Sequence, residues 1–305
     1  MSIFSDVIII IISILIIARG AIWLVDSAVL VARHLGISDL VIGLTVVAMG
    51  TSAPEFGVTL LAASRGMTDI SVGNIVGSNI FNLGFILGGT AAIQGLKTSS
   101  KVVYRDGAFL LSGTILLTLF LWNLTLERWE GIILFGLLFV YLGYLYWKKE
   151  SVEIETDKER MRWIDPLLLL VGIALVLSGS HFLVDSAVRL ARVVGISEWV
   201  IGATIVAAGT SAPEMATSLT AVMRGQHGIS VGNLIGSDIF NVFGVLGLAA
   251  MMRNLPVDIG AQSNMIMLIG MVLIVIIFMR TGWKVSRWQG LVLVCLGLAR
   301  WIYSF

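Results

Sequence analysis

The sequence has few charged residues and almost no soft metal ligands. Of its 305 residues, 13% are charged and 57% are hydrophobic, whereas soluble domains carry about 25% charged and about 45–50% apolar residues. This balance excludes a soluble globular domain and a disordered chain. Lys plus Arg number 20 and Asp plus Glu number 19, so no excess of positive charge indicates a nucleic-acid partner. One cysteine, Cys295, and three scattered histidines exclude a disulfide framework and disfavour a thiolate or multi-histidine metal site.

The apolar residues are gathered into ten stretches, close to the length of about 20 residues that a transmembrane helix needs. We therefore predict an all-α integral membrane protein with ten transmembrane helices. The predicted spans are 3–25, 39–64, 70–93, 107–122, 130–147, 163–184, 198–223, 229–252, 263–279 and 286–303.

The longest polar stretch divides these spans into two groups of five. It gives a first unit, 1–147, a charged loop, 148–162, and a second unit, 163–305. Basic residues are enriched in short cytoplasmic loops. If the N-terminus is outside, thirteen Lys and Arg residues fall in inner loops and six in outer loops. We therefore predict a multi-pass protein of the cell membrane with both termini outside and the central loop in the cytoplasm.

The two units repeat each other at a constant offset of 159 residues. Because each unit has five spans, an odd number, the second unit is predicted to be inverted relative to the first, and such repeats bind substrate near the bilayer midplane. The matched segments are Leu24–Val29 with Leu183–Val188, Gly50–Glu55 with Gly209–Glu214, Ile70–Asn74 with Ile229–Asn233, and Ile80–Asn82 with Ile239–Asn241.

Each copy of the repeat places a proline and a glutamate in the middle of a span. Pro54 and Pro213 have no N–H for the helix, so we expect a kink or break that frees carbonyl oxygens of the preceding turn, such as those of 48–51. A charged side chain at the bilayer centre costs about 2.5–3.5 kcal/mol. No basic residue lies near Glu55 or Glu214 in sequence. Since the two carboxylates would repel each other, we expect either a cation between them or a proton on one of them.

Hydroxyl and amide residues accompany both glutamates. Ser78 and Asn82 are four residues apart and therefore share a helix face, and Ser237 and Asn241 mirror them. An all-oxygen set suits Ca²⁺ or Na⁺ rather than a soft metal. The alternative is that these small polar residues only join helices to each other. We expect that packing role for four glycines, which are Gly73, Gly77, Gly232 and Gly236.

The doubled motif resembles the two alpha-repeats of the calcium/cation antiporter superfamily, and within it the prokaryotic type of sodium/calcium exchanger. The resemblance rests on Gly50–Glu55 with Gly77–Asn82 and on their second copies, and it covers nearly the whole chain. It implies an antiporter, not an enzyme, that exchanges Ca²⁺ for Na⁺ by alternating access. It also implies the metal ligands Ala48, Thr51, Ser52, Glu55, Ser78, Asn82, Ala207, Thr210, Ser211, Glu214, Ser237 and Asn241.

Two positions bear on the coupling ion. Several prokaryotic relatives and the potassium-dependent exchangers have aspartate where this chain has Asn241, which argues against a potassium requirement. Asp238 is the repeat partner of Asn79 and lies three residues before Asn241, so it could approach the site, or it could face a water-filled passage or a neighbouring helix. Proton-coupled exchangers carry Gly-Asn before the glutamate, so the Thr-Ser-Ala-Pro sequence favours sodium.

The charge of the two glutamates suggests how exchange would work. One Ca²⁺ or two Na⁺ ions would balance them, and a sodium load above two would make each cycle electrogenic. The first and sixth spans are expected to be the moving pair. We expect no cofactor and no obligate protein partner, only the lipid bilayer and the transported ions. Two alternatives stay open, a proton/calcium antiporter on the same fold and a passive cation channel. An intramembrane enzyme is disfavoured because neither Gly-x-Gly-Asp nor His-Glu-x-x-His is present.

Overall fold

The computed structural model describes residues 3–148, 161–195 and 207–303. These residues are almost entirely helical, because a helix satisfies its own backbone hydrogen bonds where water is absent. The helices in chain order are α1 Ile3–Leu35, α2 Asp39–Thr51, α3 Ala53–Ser64, α4 Thr68–Gln94, α5 Val102–Asn123, α6 Arg128–Trp147, α7 Asp165–Val193, α8 Ala207–Thr210, α9 Ala212–Met223, α10 His227–Met252, α11 Gly260–Arg280 and α12 Arg287–Tyr303.

The chain is a helical membrane protein. Seven of the described helices are long and apolar enough to cross a bilayer, and the bent pair α2–α3 makes an eighth if it is counted as one span. The ten-span count stays a prediction. The helix α12 has 17 residues, and the predicted span 198–223 begins in 196–206, outside the described residues. Most of the central loop, 149–160, also lies outside them.

Helices α1 and α7 are longer than the sequence predicted. The predicted spans 3–25 and 163–184 stop just before Asp26 and Asp185, whereas the helices continue to Leu35 and Val193. The side chains of Asp26 and Asp185 are 47% and 49% exposed. The predicted ends were wrong because hydropathy follows contact with lipid, while a helix can continue into a more exposed, polar region.

Helices α1 and α7 pack along each other. A Cβ atom added to Gly20 would lie 3.0 Å from the carbonyl oxygen of Gly172, and one added to Gly179 would lie 3.2 Å from that of Ser13. The offset of 159 relates Gly20 to Gly179 and Ser13 to Gly172. The two close approaches are therefore equivalent under the repeat.

Within the described ranges, four two-residue strands connect the two units. Strand β1, Leu96–Lys97, pairs antiparallel with β4, Lys284–Val285, and β2, Thr125–Leu126, pairs with β3, Leu255–Pro256. The same offset relates β1 to β3 and β2 to β4. The all-α prediction is wrong in this detail, because backbone groups beyond the helix ends still need hydrogen-bond partners and find them in the opposite unit.

Helices α4 and α10 lie at the centre of the molecule. Of their most apolar segments, 67% and 83% are buried, against 28% in α1 and in α7. Close backbone contact holds α10 against α2. A Cβ on Gly232 would lie 2.5 Å from the carbonyl oxygen of Leu40, and one on Gly236 would lie 2.6 Å from that of Leu44. The predicted packing role is confirmed for these two glycines, whereas Gly73 has no such neighbour among the described residues.

Candidate ion-binding site

The first motif forms a break between two helices. Helices α2 and α3 meet at Ser52 with a bend of 50°. Proline at the second position of α3 explains the bend, since Pro54 cannot donate to the carbonyl of Gly50 and its ring crowds that carbonyl. The expectation of free carbonyls needs a correction at Ala48. Its oxygen still accepts the N–H of Ser52 at 3.0 Å, because proline removes only its own hydrogen bond.

The second motif forms the equivalent break. Helix α8 ends at Thr210 and α9 begins at Ala212, with Ser211 between them. The backbone torsions of Ser211, φ −89° and ψ 9°, are close to those of Ser52, φ −77° and ψ 10°. Both breaks therefore turn the chain in the same way just before a glutamate.

The two breaks are joined by hydrogen bonds from each serine to the glutamate of the other unit. The hydroxyl of Ser52 donates to Oε1 of Glu214 at 2.9 Å, and the hydroxyl of Ser211 donates to Oε1 of Glu55 at 3.0 Å. The hydroxyl of Ser237 also lies 3.3 Å from Oε1 of Glu214. Repeat partners from two distant segments thus form one cluster, in which both glutamates are fully buried.

Each glutamate keeps one oxygen without a partner. Within the described residues, Oε2 of Glu55 and Oε2 of Glu214 accept no hydrogen bond. A buried carboxylate oxygen without a partner is costly unless a cation or a proton compensates it. No group of three or more His, Cys, Asp or Glu side chains among the described residues could hold a metal ion. A cation bound here would therefore take most of its ligands from hydroxyl, amide and carbonyl oxygens, which suits a hard cation.

Hydroxyl groups and the carbonyl of Ala48 extend the cluster. The hydroxyl of Thr51 lies 2.9 Å from Oδ1 of Asn233 and 3.3 Å from the carbonyl oxygen of Ala48. The hydroxyl of Ser237 lies 3.4 Å from the same carbonyl. The carbonyl at 48 thus lies beside hydroxyls of both units, where a cation could share their oxygens.

Two asparagines that the sequence analysis missed brace the breaks. The side chain of Asn74 donates to the hydroxyl of Thr59 at 3.0 Å and lies 3.4 Å from the backbone oxygen of Glu55. The side chain of Asn233 donates to Ser218 at 2.9 Å and lies 3.4 Å from the backbone oxygen of Glu214. The sequence feature that could have identified them is the asparagine that ends both copies of Ile-Ser-Val-Gly-Asn.

A second polar cluster lies where α4 and α10 cross. The side chain of Asn82 donates to Oδ1 of Asp238 at 2.9 Å, and the side chain of Asn241 donates to Oδ1 of Asn79 at 3.0 Å. Asn79 in turn donates to the backbone oxygen of Asp238 at 3.1 Å. All four side chains are fully buried. Wide π-helical turns begin at Asn82 and at Phe240, and such turns are frequent at functional sites.

The predicted ligands differ in how directly the structure joins them. Asn82 and Asn241 belong to the second cluster, Ser78 is buried one turn before Asn82, and Thr210 ends α8 and is half-buried. Ala207 is the first described residue of α8, and nothing is described of its side chain. Direct hydrogen bonds within the glutamate cluster join Ala48, Thr51, Ser52, Glu55, Ser211, Glu214 and Ser237.

Known proteins are similar to this chain in sequence and in fold. The chain is 30% identical to the sodium/calcium exchanger MaX1 of Methanosarcina acetivorans, over 94% of this chain and 95% of that protein. It is 35% identical to the inner membrane protein YrbG of Escherichia coli, over 92% and 89%. A solved structure of the sodium-calcium exchanger NCX_Mj, soaked with Na⁺ and Sr²⁺, superposes with a TM-score of 0.88 at 31% identity and covers 100% of both chains.

A family model points the same way. The model described as sodium/calcium exchanger protein matches residues 5–147 and 164–299, which include both breaks and both central helices. With the resemblance of the doubled motif and the likeness to NCX_Mj, this match shows that the chain belongs to the sodium/calcium exchanger family of membrane transporters.

Proposed function

We propose that this chain exchanges Ca²⁺ for Na⁺ across the cell membrane by alternating access. One observation carries the proposal. Glu55 and Glu214 are fully buried, each accepts a hydrogen bond from the opposite unit, and each retains an oxygen without a partner among the described residues. One Ca²⁺ or two Na⁺ ions would neutralise the pair. The two ions then compete for the same oxygens, and exchange follows from their mutual exclusion.

The proposed ligands are the twelve predicted from the sequence. The hydroxyls of Thr51, Ser52, Ser211 and Ser237 support this assignment because they lie within hydrogen-bond distance of the glutamates or of the Ala48 carbonyl. No resident cofactor is needed, since both ions are cargo. Hydroxyl, carbonyl and carboxylate oxygens are the ligands that hard cations take in proteins.

The proposed topology is ten spans in two inverted repeats, 1–147 and 163–305, joined by the cytoplasmic loop 148–162, with both termini outside. The equivalence of the strand pairs supports the inversion, since each pair joins one unit to the other in the same register. The long helices α1 and α7 are the proposed moving pair. They pack on each other and are the most exposed of the long helices, so they can slide with little disturbance of the centre.

The proposed cycle is electrogenic and independent of potassium. An empty site with two charges is too costly to cross the membrane uncompensated, which enforces exchange. If more than two Na⁺ ions return for each Ca²⁺, the membrane potential contributes about 2.3 kcal/mol per charge per 100 mV. An amide at Asn241 in place of a carboxylate supports independence from potassium, which an assay in sodium alone would test.

Uptake of radioactive calcium into proteoliposomes tests the proposal. Vesicles loaded with Na⁺ and diluted into sodium-free buffer should take up ⁴⁵Ca²⁺, and a positive-inside or negative-inside potential should change the rate. Uptake that needs only a pH gradient would identify a proton/calcium antiporter. Uptake down a calcium gradient without any counter-ion would identify a channel. Either result would contradict the proposal.

Replacement of either glutamate tests the site itself. Glu55→Gln and Glu214→Gln each keep the shape of the side chain and remove one charge, so we expect loss of nearly all sodium-driven uptake. Glu130→Gln is the matched control, because Glu130 is buried outside the site and caps the first turn of α6. Normal transport by both site variants would show that the assignment is wrong.

A further inference from the structure

Away from the proposed ion site, a cleft of about 570 Å³ has a described lining that includes three arginines, and we call it the arginine cleft. The arginines come from three separate segments. Arg33 lies in the last turn of α1, Arg162 lies just before α7, and Arg224 follows the last residue of α9. Two carboxylates, those of Asp26 and Asp165, line the same cleft. Three guanidinium groups against two carboxylates leave one positive charge in this lining.

The two carboxylates occupy only part of the hydrogen-bonding capacity of the arginines. Asp165 accepts the backbone N–H of Arg162 at 2.5 Å and Nη2 of the same residue at 3.2 Å. Asp26 lies 3.4 Å from Nη1 of Arg224, and both side chains are about half exposed. Arg33 has neither an ion-pair nor a hydrogen-bond partner among the described residues. A guanidinium has five N–H donors, so most donors in the cleft are available to a ligand.

The arginine cleft also has an apolar wall. Trp23, Asp26, Leu30 and Arg33 are spaced by three or four residues, so they share one face of α1, and all four line the cleft together with Leu168 of α7. At the helical rise, Trp23 and Arg33 are about 15 Å apart along α1. Trp23 lies toward the apolar segment of α1 and Arg33 toward its polar end. The cleft therefore combines a cationic end with an apolar end, and a soluble anion would need only the first.

The repeat does not reproduce this arrangement on the other face. The offset of 159 relates Arg162 to Ile3, so one of the three arginines has no equivalent. The cleft lined by Pro54 and Thr210 has no arginine in its described lining. In the proposed topology the arginine cleft lies on the cytoplasmic face, and the cytoplasmic leaflet is the one that carries a negative surface potential.

We propose that the arginine cleft binds an anionic phospholipid, with the phosphate at Arg33, Arg162 and Arg224 and an acyl chain along Trp23 and Leu168. The planar guanidinium matches phosphate oxygens and can donate two parallel hydrogen bonds to them. A phosphodiester with one negative charge balances the one positive charge of the described lining. The apolar wall favours a lipid over a free phosphate, because an acyl chain would cover it.

A lipid bound in this cleft would connect the proposed moving pair to the rest of the molecule. Arg33 belongs to α1, Arg162 precedes α7, and Arg224 follows α9, the helix that begins beside Glu214. A ligand that contacts all three segments in one state favours that state by its difference in affinity. This consequence rests on the proposed exchange, whereas binding of the lipid does not, so binding is tested without transport.

The test titrates the purified full chain in detergent with dioleoylphosphatidylglycerol or dioleoylphosphatidylcholine and counts bound lipid by native mass spectrometry. We expect tighter binding of the phosphatidylglycerol, and Arg33→Gln should weaken it about tenfold. That variant keeps the Asp26–Arg224 and Arg162–Asp165 contacts. Arg65→Gln is the matched control. It also removes one positive charge, but Arg65 is exposed and belongs to the described lining of neither cleft, so the affinity should not change.

Equal affinities for the two lipids, or equal losses in the two variants, would overturn the proposal. Displacement of the phosphatidylglycerol by an equal concentration of glycerol phosphate would identify a site for a soluble phosphate and contradict the lipid. If Arg33→Gln does not fold, photolabelling of the unmodified protein with a diazirine phosphatidylglycerol decides the question. Labelled peptides should contain 23–33 or 162–168, and labels confined to other segments would contradict the site. Failure of sodium-driven flux would overturn the proposed function and leave these binding results unchanged.

Discussion

At the scale of single residues, the site depends on serines that act across the two units. Ser52 and Ser211 each donate to the glutamate of the other unit, at 2.9 and 3.0 Å. A hydrogen bond to a charged group contributes about 1.5–3 kcal/mol. These two bonds join the breaks and orient each carboxylate, so in the proposed site they would preorganise the ligands for an ion.

Removal of either hydroxyl should therefore weaken ion binding. We expect Ser52→Ala and Ser211→Ala each to raise the Ca²⁺ concentration for half-maximal uptake by about tenfold or more, since tenfold corresponds to about 1.4 kcal/mol. The effects should be similar because the two bonds are equivalent under the repeat. Isothermal titration with Ca²⁺ in detergent measures the affinity directly.

Ser112→Ala is the control for that pair. Its exposed hydroxyl donates to the carbonyl oxygen of Ala108 in its own helix, away from both glutamates, so Ca²⁺ affinity should not change. Equal affinities in all three variants would show that the serine bonds do not shape the site.

The sequence singled out the two glutamates of the proposed site and missed the side chains that support them. Glu55 and Glu214 were evident because a charge in an apolar span needs an explanation. Asn74 and Asn233 were missed because an uncharged amide in a membrane helix has many possible partners, and only the fold shows that they brace the glutamate backbone. The contact of Asp238 with Asn82 joins two units, so spacing along one helix could not predict it.

At the scale of helices, backbone contact through glycine fixes the centre. Helix α10 touches α2 at Gly232 and Gly236, where a Cβ atom would lie 2.5 and 2.6 Å from backbone carbonyl oxygens. Helices in membranes associate closely through such small residues. The contact holds the first break against α10, the helix that carries Ser237 and Asp238.

Gly232→Ala should consequently destabilise the fold. The added methyl group would meet a backbone atom of Leu40 that cannot rotate away, and overpacking of this kind costs about 1–3 kcal/mol. We expect a lower Tm in detergent, measured by intrinsic tryptophan fluorescence. Gly270→Ala is the control, because nothing among the described residues lies within 4 Å of a Cβ at Gly270. An equal Tm for the two variants would contradict the close contact.

The sequence was enough to predict that the long helices exist, but it did not predict where they end. The spans follow from apolar composition, and the breaks follow from the missing N–H of Pro54 and Pro213. The last turns of α1 and α7, beyond residues 25 and 184, are more polar than the spans and gave no hydropathy signal. The cross-unit strands were equally hidden, since two residues carry no detectable alternation.

At the scale of the whole molecule, the two faces are not equivalent. Arg224, at the end of α9, lies 3.4 Å from Asp26 of α1. The offset of 159 gives Arg65 and Asp185 as the equivalent pair, but Asp185 contacts His181 of its own helix at 3.5 Å instead. Among the described residues, an ion pair thus joins Asp26 to Arg224, whereas none joins Arg65 to Asp185.

The clefts show the same asymmetry. On the Asp185 side, a cleft of about 600 Å³ is lined by Pro54 and Thr210, which belong to the two breaks. On the other side, a cleft of about 570 Å³ is lined by Asp26 and Arg224, and its described lining includes neither break. Of these two clefts, the one that reaches both breaks is therefore the one lined by His181, the residue that contacts Asp185.

If the two units are inverted repeats, the opposite state of the transporter is predicted by giving each unit the conformation of the other. In that state the pair Arg65–Asp185 should close and the pair Asp26–Arg224 should open. An exposed ion pair contributes only about 0.2–1 kcal/mol, so each pair biases the equilibrium without preventing transport. The change between the two states can be followed in a Cys295→Ser protein that carries one cysteine pair, at 26 and 224 or at 65 and 185. A short bismaleimide then cross-links the pair when the two cysteines are close.

Cross-linking of 26 to 224 should proceed in the state described here and stop transport by closing one face. Cross-linking of 65 to 185 should be slow in that state and faster under conditions that drive exchange, because it reports the opposite state. Mass spectrometry of the linked peptides and ⁴⁵Ca²⁺ uptake measure the two effects. Transport could also continue while the 65–185 pair links at the same rate with and without turnover. That result would show that the two faces do not alternate, and that the repeat builds the ion-binding site without producing two states.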